Sequence, residues 1–404
     1  MVKFPMLATA LKFPARWWQV IRAAPHRHTY LLCAVVYFGS VLLVAAANPF
    51  ALQALRLISF DSYQRIAPRG YDPELPVRVV DIDDASLRRF GQWPWPRTLM
   101  ADLIGKLHAA GAATVALDFM FPEPDRSSLE EVVKTLPPDD AAALSGRLKD
   151  RLGNDALFAR TIGEAKAVLG VTLTNTAEEA AVPAKSGFAV AGDDPKEFLA
   201  AYRSGLGNLT ELNKAAAGLG ALNWIPDRDQ VVRRVPLVFR VGEQMVPSLA
   251  AETLRVAQGA GSYLLKASNA SGETAFGSAT GLNHIRIGQF EVPTDGDGGI
   301  WLHFRAGRPD RFLSAAAVLE GKIEPAEIEG RIILIGTSAP GLADLRATPL
   351  DASVAGVEVH AQILEHILSG EFLTRPDYAP ALEIAIVLLT GAVLAYFLPK
   401  MSAL

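Results

Sequence analysis

Four aspartates stand first among the residues able to do chemistry: Asp81, Asp83 and Asp84 in the run VVDIDD, and Asp118 in TVALDFMF. Clustered carboxylates are the ligand set of hard cations such as Ca²⁺ and Mg²⁺, and a divalent ion would relieve their mutual repulsion. Asp81, Asp83 and Asp118 are therefore the candidate metal ligands. A divalent cation is the one cofactor the sequence admits, and nothing in it requires one. The run lacks a D-x-D-x-D-G loop with a closing Glu, which excludes a calcium EF-hand. The competing structural reading is that these acids cap the helices after them, Asp84 before Ala85-Ser86-Leu87, or pair with Arg88, Arg89 and Arg97. The sequence favours capping and pairing over metal binding, and metal binding over catalysis.

Two further groups carry functional residue types. Gly336-Thr337-Ser338 opens a loop that runs to Asp344, and its backbone N–H groups would suit an anion. It has no lysine of the GxxxxGK[ST] kind, so an ATP-binding phosphate loop is excluded. Thr337 or Ser338 with His360 and Asp344 makes a nucleophile, base and orienter on paper. No GxSxG elbow surrounds either hydroxyl, and His360, like His366, reads first as a packed helix residue. The last group is Gln92-Trp93-Pro94-Trp95-Pro96-Arg97. Trp93, Trp95 and Arg97 would serve as a ligand platform or a receptor–receptor contact. The plainer reading is a rigid loop plugging the sheet, with Pro96 and Arg97 opening a helix.

These residues need elements to position them. VRVV leads as a buried strand into the first carboxylates, Arg97 to Ala110 reads as a helix, and TVALDFMF as a strand ending in Asp118, a β-α-β unit. Ala167 to Leu173 and Arg331 to Gly336 are further buried strands. Helical patterns cover Phe50 to Tyr63, Asn154 to Thr161, Glu211 to Gly218, Ser248 to Gln258, Phe312 to Glu320 and Gly356 to Leu368. Asp227 to Gln230 is a charged turn, HIRIGQFEVP and GIWLHFR are short antiparallel strands, and residues 175–200 form a lower-order insertion. The fold class is α/β: a mostly parallel sheet with flanking helices and a small antiparallel insertion, held between two transmembrane helices. Ligands of such sheets bind outside the carboxyl ends of the strands, where Asp81, Asp83, Asp118 and the Gly336 loop are expected.

The chain of 404 residues has a net charge of -4 and no basic stripe interleaved with aromatics beyond its N-terminal arm, so nucleic acid is not an expected partner. Its single cysteine, Cys33, excludes a disulfide framework and a CxxC zinc site. Residues 1–28 carry Lys3, Lys12, Arg16, Arg22 and Arg27 without an acid. The apolar run 29–47 would span about 28 Å as a helix, enough for the hydrocarbon core of a bilayer. A secretory signal peptide is the rival reading, and the late start and length of the run count against it. A second apolar run, 381–399, contains only Glu383 near one boundary and is followed by Lys400. The positive-inside rule then gives a basic cytoplasmic arm (1–28), a membrane helix (29–47), an extracytoplasmic domain (48–380), a second membrane helix (381–399) and a cytoplasmic tail (400–404). The expected location is a bacterial inner membrane, with the large domain in the periplasm or outside.

Several long blocks, in order, resemble the CHASE2 sensor of bacterial transmembrane receptors: FDSYQR at 60–65, VVDIDDASLRRFGQWPWPR at 79–97, GAATVALDFMFPEPD at 111–125, LIGTSAPGLADLRATPL at 334–350 and GVEVHAQILEHILSG at 356–370. The resemblance covers roughly residues 50–375. It implies an extracytoplasmic ligand, homodimerisation, and a cytoplasmic output domain such as an adenylate cyclase or protein kinase. The family carries several membrane helices after the sensor, whereas this sequence stops after one, as a sensor region parted from its output would. The leading expectation is a non-catalytic sensory module; a membrane-tethered, metal-dependent periplasmic hydrolase and a structural partner-binding domain are the alternatives.

Overall fold

Alternation along the apolar strands sorts their side chains to two faces, and both faces are covered by helices. The computed structural model describes residues 26–140, 153–176, 181–270, 281–307, 309–339, 344–375 and 378–397. Its main sheet is built, among the described residues, from β1 (Val77–Asp81), β2 (Thr114–Leu117), β3 (Val168–Thr174), β4 (Ser204–Leu206), β5 (Gly218–Ala221), β6 (Phe312–Ser314) and β7 (Ile332–Gly336). The order runs β6-β1-β7-β2-β3, with β3 pairing both β4 and β5. Every pairing is parallel except that of β3 with β4. Parallel strands need helical crossovers, and these cover the sheet.

Val77, Val79, Ala116, Ile332 and Leu334 pack on one side with Leu249 and Leu254 of the Leu249–Ala257 helix and with Val359, Ile363 and Ile367 of the Gly356–Ser369 helix. Val80, Val115, Leu117, Ile333 and Ile335 face the other side, against Met100, Leu103 and Leu107 of the Arg97–Ala109 helix and Phe158 and Ile162 of the Asn154–Glu164 helix. The side-chain period of two thus builds two cores from one sheet. Gly336 lets the Gly356–Ser369 helix approach the end of β7, because a Cβ there would collide with Val357.

Three local expectations change. Phe312 to Glu320 is not one helix: Phe312–Ser314 pairs with Val79 to Asp81 as an edge strand, and only Ala315–Leu319 is helical. The backbone partners offered by β1 outweigh the helical apolar spacing. Gly218 to Ala221 likewise joins β3 as a strand, so the preceding helix stops at Ala215. In the 175–200 segment, Gly187–Ala191 pairs with Ser262–Ala267 in a sheet that also holds the Leu282–Ile287 and Phe290–Pro293 hairpin. Residues 141–152, 177–180 and 340–343 lie outside the described residues.

The chain divides into two compact units, Ser59–Thr374 and the two flanking segments together. The flanking unit holds a helix His26–Ala47 that breaks at Asn48-Pro49; the next helix, Phe50–Ile66, leaves at 72° and belongs from Ser59 onward to the Ser59–Thr374 unit. Among the described residues no single helix is long and apolar enough to cross a membrane; the bent pair Leu32–Ala47 and Phe50–Ile66 satisfies length and composition together, and Ala381–Phe397 is a shorter apolar helix. The expected two full spans are thus met in part. Tyr37 donates to the Val387 carbonyl (3.3 Å), and its ring occupies the space a Cβ on Gly391 would need. Glu383 pairs with Arg375 (2.6 Å) and Arg56 (3.8 Å).

Candidate functional site

The parallel strands bring the C-terminal ends of β1, β2 and β7 to one edge, but the acids there do different things. Asp81 accepts from the Ser338 N–H (2.8 Å) and from its hydroxyl, clamping the loop that leaves β7. Burial raises the Asp81 carboxyl, the Ser338 bonds oppose this, and Asp83 and Asp84 add to the rise. Asp83, rather than Asp84, is the N-cap of the Asp84–Phe90 helix: it accepts from the Ser86 N–H (2.8 Å) and hydroxyl (2.7 Å). It also accepts from the Ser314 hydroxyl (3.1 Å), which ties this helix to β6. Arg97 and Arg89 pair elsewhere, with Asp155 and Glu320.

Asp118 sits just beyond β2 with Oδ1 3.6 Å from Nε2 of His360. Burial, then Asp344, push the Asp118 carboxyl well up, and Arg346 opposes. Burial and Arg346 push His360 down to about 3, so its imidazole is neutral at physiological pH. Neither ring nitrogen of His360 makes a hydrogen bond, and Trp224 lies against the ring at 4.4 Å. Asp344 is held by Arg346 at 2.6 Å, and Thr337 is half-buried. The nucleophile–base–orienter arrangement is therefore not assembled, since Ser338 donates to Asp81 and Asp344 pairs with Arg346.

The aromatic loop forms a separate group. Trp95 is 2% exposed and donates to the Gly91 carbonyl at 2.9 Å. Trp93 packs edge-on against Phe119 (4.9 Å), and the Arg97 guanidinium lies over Phe121 (4.3 Å). Arg97 also donates to Asp155 (3.2 Å) and the Glu123 carbonyl (2.9 Å), while its N–H is taken by Asp125 (2.8 Å). Trp93, Trp95 and Arg97 line a cleft of about 470 Å³ with Phe119 and Phe121.

A fully buried ionic cluster lies elsewhere. Glu365 receives Arg69 (2.8 Å), Arg305 (3.2 Å) and Arg311 (2.8 Å), and all four residues are at most 5% exposed. Arg69 belongs to the segment arriving from the Phe50–Ile66 helix. That segment is fixed upstream by a two-point pair of Asp61 with Arg233 (2.7 and 2.8 Å) and by Gln64, which donates to the Leu302 carbonyl and accepts from the Phe304 N–H. Glu358, Gln362 and Glu365, spaced i, i+4, i+7, form a polar stripe on a helix whose Val357, Val359, Ile363, Leu364 and Ile367 are apolar and buried, a legible signal that the sequence reading passed over. Beside this cluster a cavity of about 420 Å³ is lined by Arg305, Phe312, Ser338, Val354, Glu358 and Gln362, among others. Of the residues singled out in the sequence, only Ser338 reaches its wall.

Among the described residues no group of three or more His, Cys, Asp or Glu side chains is placed to hold a metal ion. The CHASE2 domain family matches residues 33–395. The chain belongs to this family. No curated protein and no solved structure matches it. The CHASE2 match takes in most of both apolar runs as well as the α/β unit, and identifies a sensor domain of the receptor kind.

Proposed function

We propose that this CHASE2 domain is the extracytoplasmic sensor of a transmembrane receptor, passing a ligand- or association-dependent change through its flanking helices to an output domain such as an adenylate cyclase or protein kinase. The observation that carries this reading is the Arg69–Glu365 pair. One buried carboxylate holds both the segment arriving from the N-terminal helices and the helix that leads on to the C-terminal one. A change at Glu365 alters both at once. Signalling then needs only two arrangements of this junction with different ligand affinities.

The basic residues before the first apolar helix and Lys400 after the last support a two-span topology with both termini inside and residues 48–380 outside. Output domains of the cyclase kind work as pairs, so the reading includes a homodimer.

The test is a chimera with an adenylate cyclase domain fused after Leu404, expressed in a bacterial membrane. Arg69→Met should change cyclic-AMP output at equal membrane abundance, because it uncouples the arriving segment from Glu365 while leaving Arg305 and Arg311 in place. Unchanged output would remove the reading. Alkaline phosphatase fused after Gly370 should be active, as it is only outside the cytoplasm.

A further inference from the structure

We infer that the cavity beside Glu365 takes a small zwitterion of the amino-acid type, its carboxylate on Arg305 and its ammonium between Glu358 and Asp351. This deepens the sensory reading and rests on it for its consequence, though not for the binding itself.

Charge is the first argument. Three guanidinium groups share the one carboxylate of Glu365, and Nη2 of Arg305 and Nε and Nη1 of Arg311 are buried with no hydrogen-bond partner. Buried donors are costly to leave unpaired, and these three show that the cluster is short of an acceptor. Arg305 is the member of the cluster that reaches the cavity wall.

The rest of that wall carries the opposite sign. Glu358 and Asp351 line it; burial raises the Glu358 carboxyl, while the charge of Arg305 and a hydrogen bond with Gln362 oppose the rise. Phe312, Leu345 and Val354 supply apolar surface between. A phosphate or dicarboxylate would set extra negative charge against Glu358 and Asp351, and a simple amine would set its charge against Arg305. A molecule with one charge of each sign and a short apolar side chain satisfies all three surfaces. The cavity's volume, about 420 Å³, suits a ligand of that size. By drawing Arg305 from Glu365, its carboxylate would loosen the grip on the outgoing helix.

The experiment is calorimetric titration and thermal shift of the full chain in nanodiscs against a panel of the protein amino acids. For each binder it adds the carboxylic acid lacking the ammonium, the amine lacking the carboxylate, and inorganic phosphate. At least one amino acid should raise the unfolding midpoint, with both single-charge analogues weaker by about tenfold or more. Glu358→Gln should weaken the amino acid by about tenfold and leave the carboxylic acid unaffected. Ser353→Trp, at an exposed position on the rim, should abolish binding with the ligand-free midpoint unchanged. No binder in the panel, an analogue or phosphate equal to the amino acid, or full binding by both variants would overturn the inference. If no amino acid binds while Arg69→Met still changes the chimera's output, only this inference fails; if one binds and the chimera is deaf to it, the sensory reading fails instead.

Discussion

Asp83 and Glu365 are both carboxylates drawn out of bulk water, and each accepts hydrogen bonds from several neighbours, but the donors differ in kind. Asp83 is satisfied by neutral groups, the Ser86 N–H and the hydroxyls of Ser86 and Ser314, and the result is a fixed local geometry. Glu365 is surrounded by three cations, and the result is a charge imbalance held inside the domain. Neutral donors close an arrangement. Excess cationic charge leaves donors over, as at Arg305 and Arg311.

The sharpest way to break this contrast is Glu365→Leu, which leaves three buried guanidiniums facing one another. It should cost about 3–5 kcal/mol in chemical denaturation, and adding Arg311→Met should recover part of that. A loss near that of a surface residue would mean the arginines do not depend on Glu365.

Next in size is the acid response of the two buried histidines, His360 at about 3 and His366 at about 4. Both are depressed below 6.5, so the unfolded chain binds more protons than the native one between those values. Their stabilisation is full above pH 6.5 and declines as pH falls towards 4 and then 3. His360→Phe should flatten the fall in unfolding midpoint across that window. Asp118 has the opposite sign: its carboxyl is raised, so its contribution is greatest at low pH and is lost as pH rises through the shifted value. Asp118→Asn should therefore raise the midpoint at neutral pH relative to its effect in acid.

Asp81→Ala removes the acceptor of both Ser338 bonds and should cost about 1–3 kcal/mol. Asp83→Ala removes a helix cap and should cost about 1 kcal/mol. If the last two exceeded Glu365→Leu in a denaturant series, the ranking of ionic over neutral surroundings would be reversed.

Much of the scaffold was legible because its signals are local. VRVV, TVAL and IILIG are apolar enough to be strands buried on both faces, and Pro96-Arg97 marks a helix start. The edge strand Phe312–Ser314 was not legible, since its pairing with β1 spans the whole domain. The placing of Asp118 beside His360 and of Ser338 on Asp81 depends on strand order, which no single segment encodes. The Glu365 cluster was hidden for the same reason: Arg69, Arg305 and Arg311 come from distant segments, and their convergence is a property of the fold. Only the polar stripe of the Gly356–Ser369 helix announced it.

The contact of Gly336 with Val357 has a mechanical consequence. It leaves no room for the Gly356–Ser369 helix to slide over the end of β7, so the easiest movement left is a tilt about that point. From Val357 to Ser369 the helix reaches roughly 18 Å. A tilt of about 10° at this fulcrum would carry its far end through roughly 3 Å. A bulkier residue at position 336 would collide with Val357 and displace this end of the helix from β7.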